Sequence, residues 1–175
     1  QDSKVKVFGI PIDLRFKERS FAANIRTRFG LDLEKPVVLV MGGGQGYGPI
    51  KHILMALDRL KTDFQILVIC GSNKKLQRWI SVRAGKFSKN MHAMGYIDNV
   101  HEFMEAANLI ITKPGGLTTA EALSKGLPMV IIKPMNSKRI PTRPDRVRPD
   151  ARTEVKSMYP SARMPRNIIV IPTTI

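Results

Sequence analysis

Two glycine-bearing segments carry the residue types best suited to chemistry. The first, Gly42-Gly43-Gly44-Gln45-Gly46-Tyr47-Gly48-Pro49, follows an apolar run and leads into a helical pattern. Glycines in that position let the main chain approach an anion, and the free amides and dipole of a helix start attract phosphate. The common nucleotide signatures are not met. A P-loop ends in Gly-Lys-Ser/Thr where this chain has Gly48-Pro49, and the dinucleotide pattern begun at Gly44 requires Gly or Ala at Pro49. The second segment, Lys113-Pro114-Gly115-Gly116-Leu117-Thr118-Thr119-Ala120-Glu121, also follows an apolar run and opens a helix. It makes a second anion-binding helix start, with hydroxyl donors at Thr118 and Thr119. Glu121, one turn further on, is placed to accept two hydrogen bonds from a vicinal diol such as a ribose. The same Thr118-x-x-Glu121 spacing also satisfies a capping box, in which both residues serve the helix alone. Both readings stand at this point.

Other constellations are poor. His52, His92 and His101 lack metal-ligand spacing, and Cys70 is the one cysteine, so neither a metal nor a disulfide is expected. Cys70 falls inside an apolar run and reads as an inert buried thiol. Asp98, Glu102 and Glu105 read as the solvated start of a helix. No cofactor is expected, and no catalytic residue is assigned.

The elements that must position the two segments alternate in type. Residues 36–41, 65–71, 109–112 and 128–132 are short apolar runs of the kind buried on both faces of a parallel sheet, and 91–96 is a weaker one. Between them, Ile50, Ile53, Leu54, Leu57 and Leu60 share one helical face, as do Leu76, Trp79 and Ile80, and Val100, Phe103, Met104 and Ala107. A helix is predicted over 118–125, closed by Gly126. Upstream, 5–12 reads as an edge strand or entry segment, followed by a helix near 20–29. Strand–helix alternation with short connections predicts an α/β fold, a Rossmann-like parallel sheet with helices on both faces. Ligands of such sheets bind at the carboxyl ends of the strands, which points to the loops 42–49, 95–99 and 113–118.

The chain has 175 residues, 43% hydrophobic, enough for one domain with a real core. No apolar stretch approaches the roughly 20 residues of a membrane span, and the first residues carry no signal-peptide pattern. A start at Gln1 rather than Met raises the expectation that sequence is missing upstream. The formal charge of +15 favours an anionic partner. A basic nucleic-acid-binding module is the alternative it raises. Aromatic residues at 6% are few for base stacking, no DNA or RNA motif is present, and nucleic acid is not expected as a partner. Residues 134–175 hold 7 of the 12 prolines and 9 Lys and Arg against 3 acids. Proline removes donors and keeps the preceding residue out of helix. The expected division is therefore a folded domain over 1–135 and an irregular, basic, proline-rich tail over 136–175. Within the tail, 168–171 is apolar enough for an edge strand, ended by Pro172.

Taken in order, Gly9-Ile10-Pro11-Ile12, residues 38–46, 68–73, Gly95-Tyr96-Ile97 and 110–123 resemble the MurG-like (family 28) glycosyltransferases. The similarity is to the donor-binding C-terminal half, in the glycolipid branch of monogalactosyldiacylglycerol synthases and processive diacylglycerol glucosyltransferases. It covers roughly residues 5–135. The resemblance implies the C-terminal half of a GT-B fold and a UDP-sugar donor, whose hexose passes with inversion to a lipid acceptor such as diacylglycerol. It places uracil at the backbone of Tyr96 and Ile97, the ribose on Glu121, and the diphosphate at Gly115, Gly116, Leu117 and Thr118. The Gly43, Gly44, Gln45 and Gly46 loop then faces the diphosphate. It further implies an acceptor-binding N-terminal domain, which this chain lacks, so the chain alone is expected to be inactive. A cytoplasmic location, peripheral at an anionic membrane surface, follows from the same resemblance. The family's sugar-gripping Pro-Gly-Gln-Glu stretch has no match at Pro134-Met135-Asn136-Ser137, so sugar choice is not legible.

Overall fold

A computed structural model describes residues 9–18 and 22–132, together with the backbone of 168–171. Its centre is β1 (Val37–Met41) and β2 (Gln65–Ile69), buried at every position. Four further strands complete the sheet: β3 (Met91–Met94), β4 (Leu109–Thr112), β5 (Met129–Ile132) and β6 (Ile168–Ile171). The order is β3-β2-β1-β4-β5-β6, and every neighbouring pair is parallel. The period of two along a strand sends Val37, Leu39 and Met41 to one face and Val38 and Val40 to the other. The first face is covered by α1 (Ala22–Arg28), α4 (Val100–Ala106) and α5 (Gly116–Ser124). The second is covered by α2 (Ile50–Asp58) and α3 (Lys74–Arg83).

Most predicted elements are present, and the differences have local causes. β3 stops at Met94, two residues short of the predicted strand, and α2 ends at Asp58, which leaves Leu60 beyond the helix and 50% exposed. Residues 5–8 lie outside the described residues, and Gly9 to Asp13 form no strand but lead into a 3-10 turn, Leu14–Phe16. α5 begins at Gly116, earlier than the sequence pattern indicated. The expectation of an irregular chain over 136–165 lies outside the described residues. Ile168–Ile171 pairs along β5 from Met129↔Ile168 to Ile132↔Ile171.

Buried polar groups are used as ties. The Gln65 carboxamide accepts from the Asp32 amide at 2.8 Å and donates to the Asp32 carbonyl at 2.9 Å. Arg26 of α1 donates to the Ala106 carbonyl at the end of α4 (3.0 and 3.2 Å), to the Leu33 carbonyl (2.6 Å) and to Asn108 Oδ1 (2.9 Å). A guanidinium thus satisfies a helix carbonyl that has no partner within its own helix. Asn108 Oδ1 also accepts from the Val37 amide at 2.9 Å, which fastens α1 and α4 to the start of β1. Glu105, expected on a solvated face, pairs instead with Lys125 at 2.7 Å.

At the carboxyl edge, the β1–α2 and β2–α3 loops lock into each other. The Ser72 amide donates to the Gly44 carbonyl at 2.9 Å, and Asn73 Nδ2 donates to the Gly46 carbonyl at 3.2 Å. The approach is close enough that a Cβ on Gly46 would run into the Cys70 carbonyl, and one on Gly71 into the Gly44 carbonyl. Both glycines also have left-handed φ, +59° and +56°. Gly46→Ala therefore combines a backbone clash with a strained φ and is expected to cost at least about 2 kcal/mol. Gly44 has neither problem, and Gly44→Ala should stay within about 0.5 kcal/mol. Urea unfolding of the two variants checks the contrast.

Candidate functional site

The sheet order reverses at β1, which lies between β2 and β4. The chain leaves β1 towards one face and β4 towards the other, so a crevice opens between their carboxyl ends. Met41 and Thr112 are register partners at that edge, and the loops 42–49 and 113–116 diverge from them.

The start of α5 differs from the capping-box reading. Its N-cap is Gly115, which has no side chain to offer. Thr118 is the third residue inside the helix rather than its cap, so Thr118 and Glu121 do not form the box. Thr119 is buried, and its hydroxyl donates back to the Gly115 carbonyl at 2.8 Å, which takes it out of the set of ligand donors. An extended, side-chain-free N-cap is tolerated here because that carbonyl is already engaged by the Thr119 amide (2.9 Å) and hydroxyl. At α2 the N-cap position is held by Pro49, whose side chain has no acceptor to offer. By contrast, the first turn of α3 is closed by Asn73 Oδ1, which accepts from the Leu76 amide at 2.9 Å.

Lys113 joins the two loops. Its Cε and Nζ lie 3.1 and 3.5 Å from where a Cβ on Gly43 would stand, so the ammonium reaches over the glycine loop from the other side of the crevice. Residue typing did not single it out, because one lysine in a basic chain carries no signal until its neighbours in space are known. Its signal in the sequence is its place, immediately after a buried strand and before Pro114-Gly115-Gly116.

Glu121 is half-buried on α5. Burial pushes its carboxyl above the usual range, and the nearby negative charge of Asp13 adds to the effect. Asp13 is itself held below the ordinary carboxylate range by Arg15, whose guanidinium donates to it at 2.9 and 3.1 Å. The segment from Gly9 to Asp13 therefore lies against α5, with Ile10 Cδ1 3.0 Å from the position of a Cβ on Gly116.

Tyr96 and Ile97 follow β3. Tyr96 is 75% exposed, whereas Ile97 packs on the core under α1, α4 and α5. Three strand spacings, roughly 14 Å, separate the ends of β3 and β4. Gly43 to Gly46, Gly115 to Thr118, and Tyr96-Ile97 thus share one edge of the sheet, with Glu121 a turn behind. Gln45 and Leu117 are exposed there. A cavity of about 800 Å³ lies beside this edge, on the α2–α3 face, lined by Tyr47, Lys51, His52, Asn73, Lys75 and Lys113 among others. Of the predicted residues it contains only Gly46. The helix start and the glycine loop can hold an anion and the carboxylate a diol, so the chemistry belongs to the edge. Cys70 is fully buried, and desolvation pushes its thiol up to about 11, which leaves it protonated and inert.

Comparison with known proteins bears on this geometry. The chain is 33% identical over 135 residues to a processive diacylglycerol beta-glucosyltransferase of Bacillus licheniformis, covering 76% of this chain and 35% of that protein. It is 38% identical over 144 residues to a chloroplastic monogalactosyldiacylglycerol synthase of Spinacia oleracea, covering 75% and 26%. The chain therefore spans about a third or less of the length of these relatives. The Acinetobacter baumannii MurG structure superposes with a TM-score of 0.54 at 20% identity, over 70% of this chain and 35% of that one. WaaG, a glycosyltransferase involved in lipopolysaccharide biosynthesis, gives 0.56 at 24%, over 71% and 36%. Both show the same fold. Residues 37–138 match the glycosyltransferase family 28 C-terminal domain, and the chain belongs to that family.

Proposed function

We propose that this chain holds the UDP portion of a UDP-sugar and forms the donor half of a hexosyltransferase acting on a lipid acceptor such as diacylglycerol. The observation that carries this reading is the start of α5. A helix whose N-cap is Gly115 opens at the strand-order reversal, Lys113 crosses from it to the glycine loop, and a half-buried carboxylate stands one turn behind. The diphosphate takes the first turn of α5, at Gly115 to Thr118, and the Gly43 to Gly46 loop. Lys113 supplies a cation, Glu121 accepts from the ribose hydroxyls, and the main chain at Tyr96 and Ile97 meets the uracil. In transfer, the bond from the anomeric carbon to the diphosphate oxygen breaks and its electron pair stays on UDP. The acceptor hydroxyl forms the new bond to that carbon and gives its proton to a base proposed to lie, with the acceptor site, in the length of the relatives that this chain does not span. The helix start and Lys113 favour the departing charge, because they are fixed before it develops.

The names of the relatives support a glycerolipid as acceptor, and the acceptor-binding part is proposed to lie in the length of those relatives that this chain does not span. The residues 1–135 are taken as the donor domain. Among the described residues no helix is long and apolar enough to cross a membrane. Peripheral association at the cytoplasmic face of an anionic membrane is the arrangement that brings such a domain to a lipid substrate, and the charge of +15 supports it.

Three measurements test this reading. Isothermal titration should show UDP binding to the purified chain, while a transferase assay on the chain alone should show no turnover. Lys113→Ala should weaken UDP by about 1.5–3 kcal/mol and leave uridine binding unchanged, since the lost contact is to phosphate. For Glu121, binding of a diol favours the carboxylate, so affinity should rise with pH as the carboxyl ionises. Because burial and the charge of Asp13 oppose that ionisation, the rise should come at higher pH than for an ordinary carboxylate. Glu121→Gln should flatten this component, leaving only the titration of the phosphate itself. An unchanged profile would assign Glu121 to the helix and not to the ligand.

A further inference from the structure

The outer surface of α3 is not used by the donor site. From residue 64 to 97 the chain contains no acid and six Lys and Arg. Lys74 and Arg78 of α3 are exposed on the side away from Leu76 and Ile80, which are buried against the sheet, and Lys75, also exposed, stands on the flank that borders the α2–α3 cavity. None of the three forms an ion pair among the described residues. Val82, 69% exposed, continues the row Lys74, Arg78, Val82 at a spacing of four. At its flank Trp79 is half-buried between two cations, with Arg83 Cζ 4.8 Å and Lys51 Nζ 5.2 Å from the ring centroid. The helix itself gains nothing from this pattern. Lys74 and Lys75 occupy its first turn, where the dipole disfavours positive charge, and no acid stands there to offset them.

We infer that the outer face of α3 docks on a bilayer carrying anionic phospholipid. The face pairs a dense, unneutralised basic row with an exposed aliphatic side chain, the composition of a surface that lies against headgroups. A nucleic-acid strand is the poorer fit. The aromatic ring on this face is half-buried and engaged by two cations, so it offers no platform for a base. α3 begins at the carboxyl edge of β2 and covers one face of the sheet. Docking along its side therefore leaves the loops 42–49 and 113–116 uncovered. The inference rests on the proposed lipid acceptor for its place in the reaction, but its test does not involve the donor.

Trp79 is the one tryptophan of the chain, so its emission reports this face directly. Titration with vesicles of phosphatidylglycerol in phosphatidylcholine should change the emission, pure phosphatidylcholine should not, and added salt should reverse the change. The triple variant Lys74→Gln/Lys75→Gln/Arg78→Gln should lose on the order of a hundredfold in vesicle partition, about fivefold for each basic residue removed. The charge-preserving Lys74→Arg/Lys75→Arg/Arg78→Lys variant should retain partition, neither variant should melt below the parent, and both should keep its UDP affinity. Undiminished partition of the triple glutamine variant would overturn the inference, because basic residues elsewhere would then carry the binding. Displacement of the vesicles by a single-stranded oligonucleotide at lower concentration would also overturn it, by making this a nucleic-acid surface. Failure of UDP to bind, with vesicle partition still lost in the triple variant, would remove the donor reading and leave the docking face in place.

Discussion

The constraint on which the rest of this structure depends is the placement of β1 at the point where the strand order reverses. A strand buried on both faces needs helices on both, and parallel neighbours can be reached only by crossovers. The crossover to β2 runs through α2 on one face, and the chain returns to β4 by way of α4 on the other. The two connections leave the carboxyl edge in opposite directions, and that divergence opens a gap between them. The helix start of α5, the glycine loop and Lys113 acquire their meaning from that gap. The same residues on adjacent, same-side connections would be covered by each other.

Much of this was legible in the sequence because the signals were local. The apolar runs at 37–41 and 65–69 are uninterrupted, and the one polar residue in them, Gln65, is at a strand end where the Asp32 main chain satisfies it. The start of α5 was misjudged because Thr118 is a strong cap by type, whereas Gly115 caps by conformation alone. Once Thr119 turns its hydroxyl back to the Gly115 carbonyl, the helix starts two residues earlier than residue preferences encode. Lys113 and the contact of Ile10 with α5 were out of reach for a different reason. Both depend on which loops the sheet order brings together, and that order is a long-range property. The edge strand at 168–171 was legible from its apolar run, but its pairing with β5 was not, since many residues without a readable pattern separate the two.

The basic character of the chain divides by location. At the carboxyl edge, positive potential comes from helix starts and one well-placed ammonium, arranged around a carboxyl that burial makes reluctant to ionise. On α3 it comes from side chains in water, where each cation is screened and only the sum is felt. The first arrangement discriminates among ligands by geometry. The second responds to surface charge density and is insensitive to the detailed shape of its partner.

The interlocked loops set a rule for anyone moving this edge into another protein. Gly46 is shaped against the Cys70 carbonyl and Gly71 against the Gly44 carbonyl, so neither loop has a conformation of its own to transplant. A graft limited to residues 42–49 would carry the glycines but lose the main chain that holds them in place. The smallest transferable unit is two strands with both of their outgoing turns, and a host scaffold must supply that adjacent parallel pair.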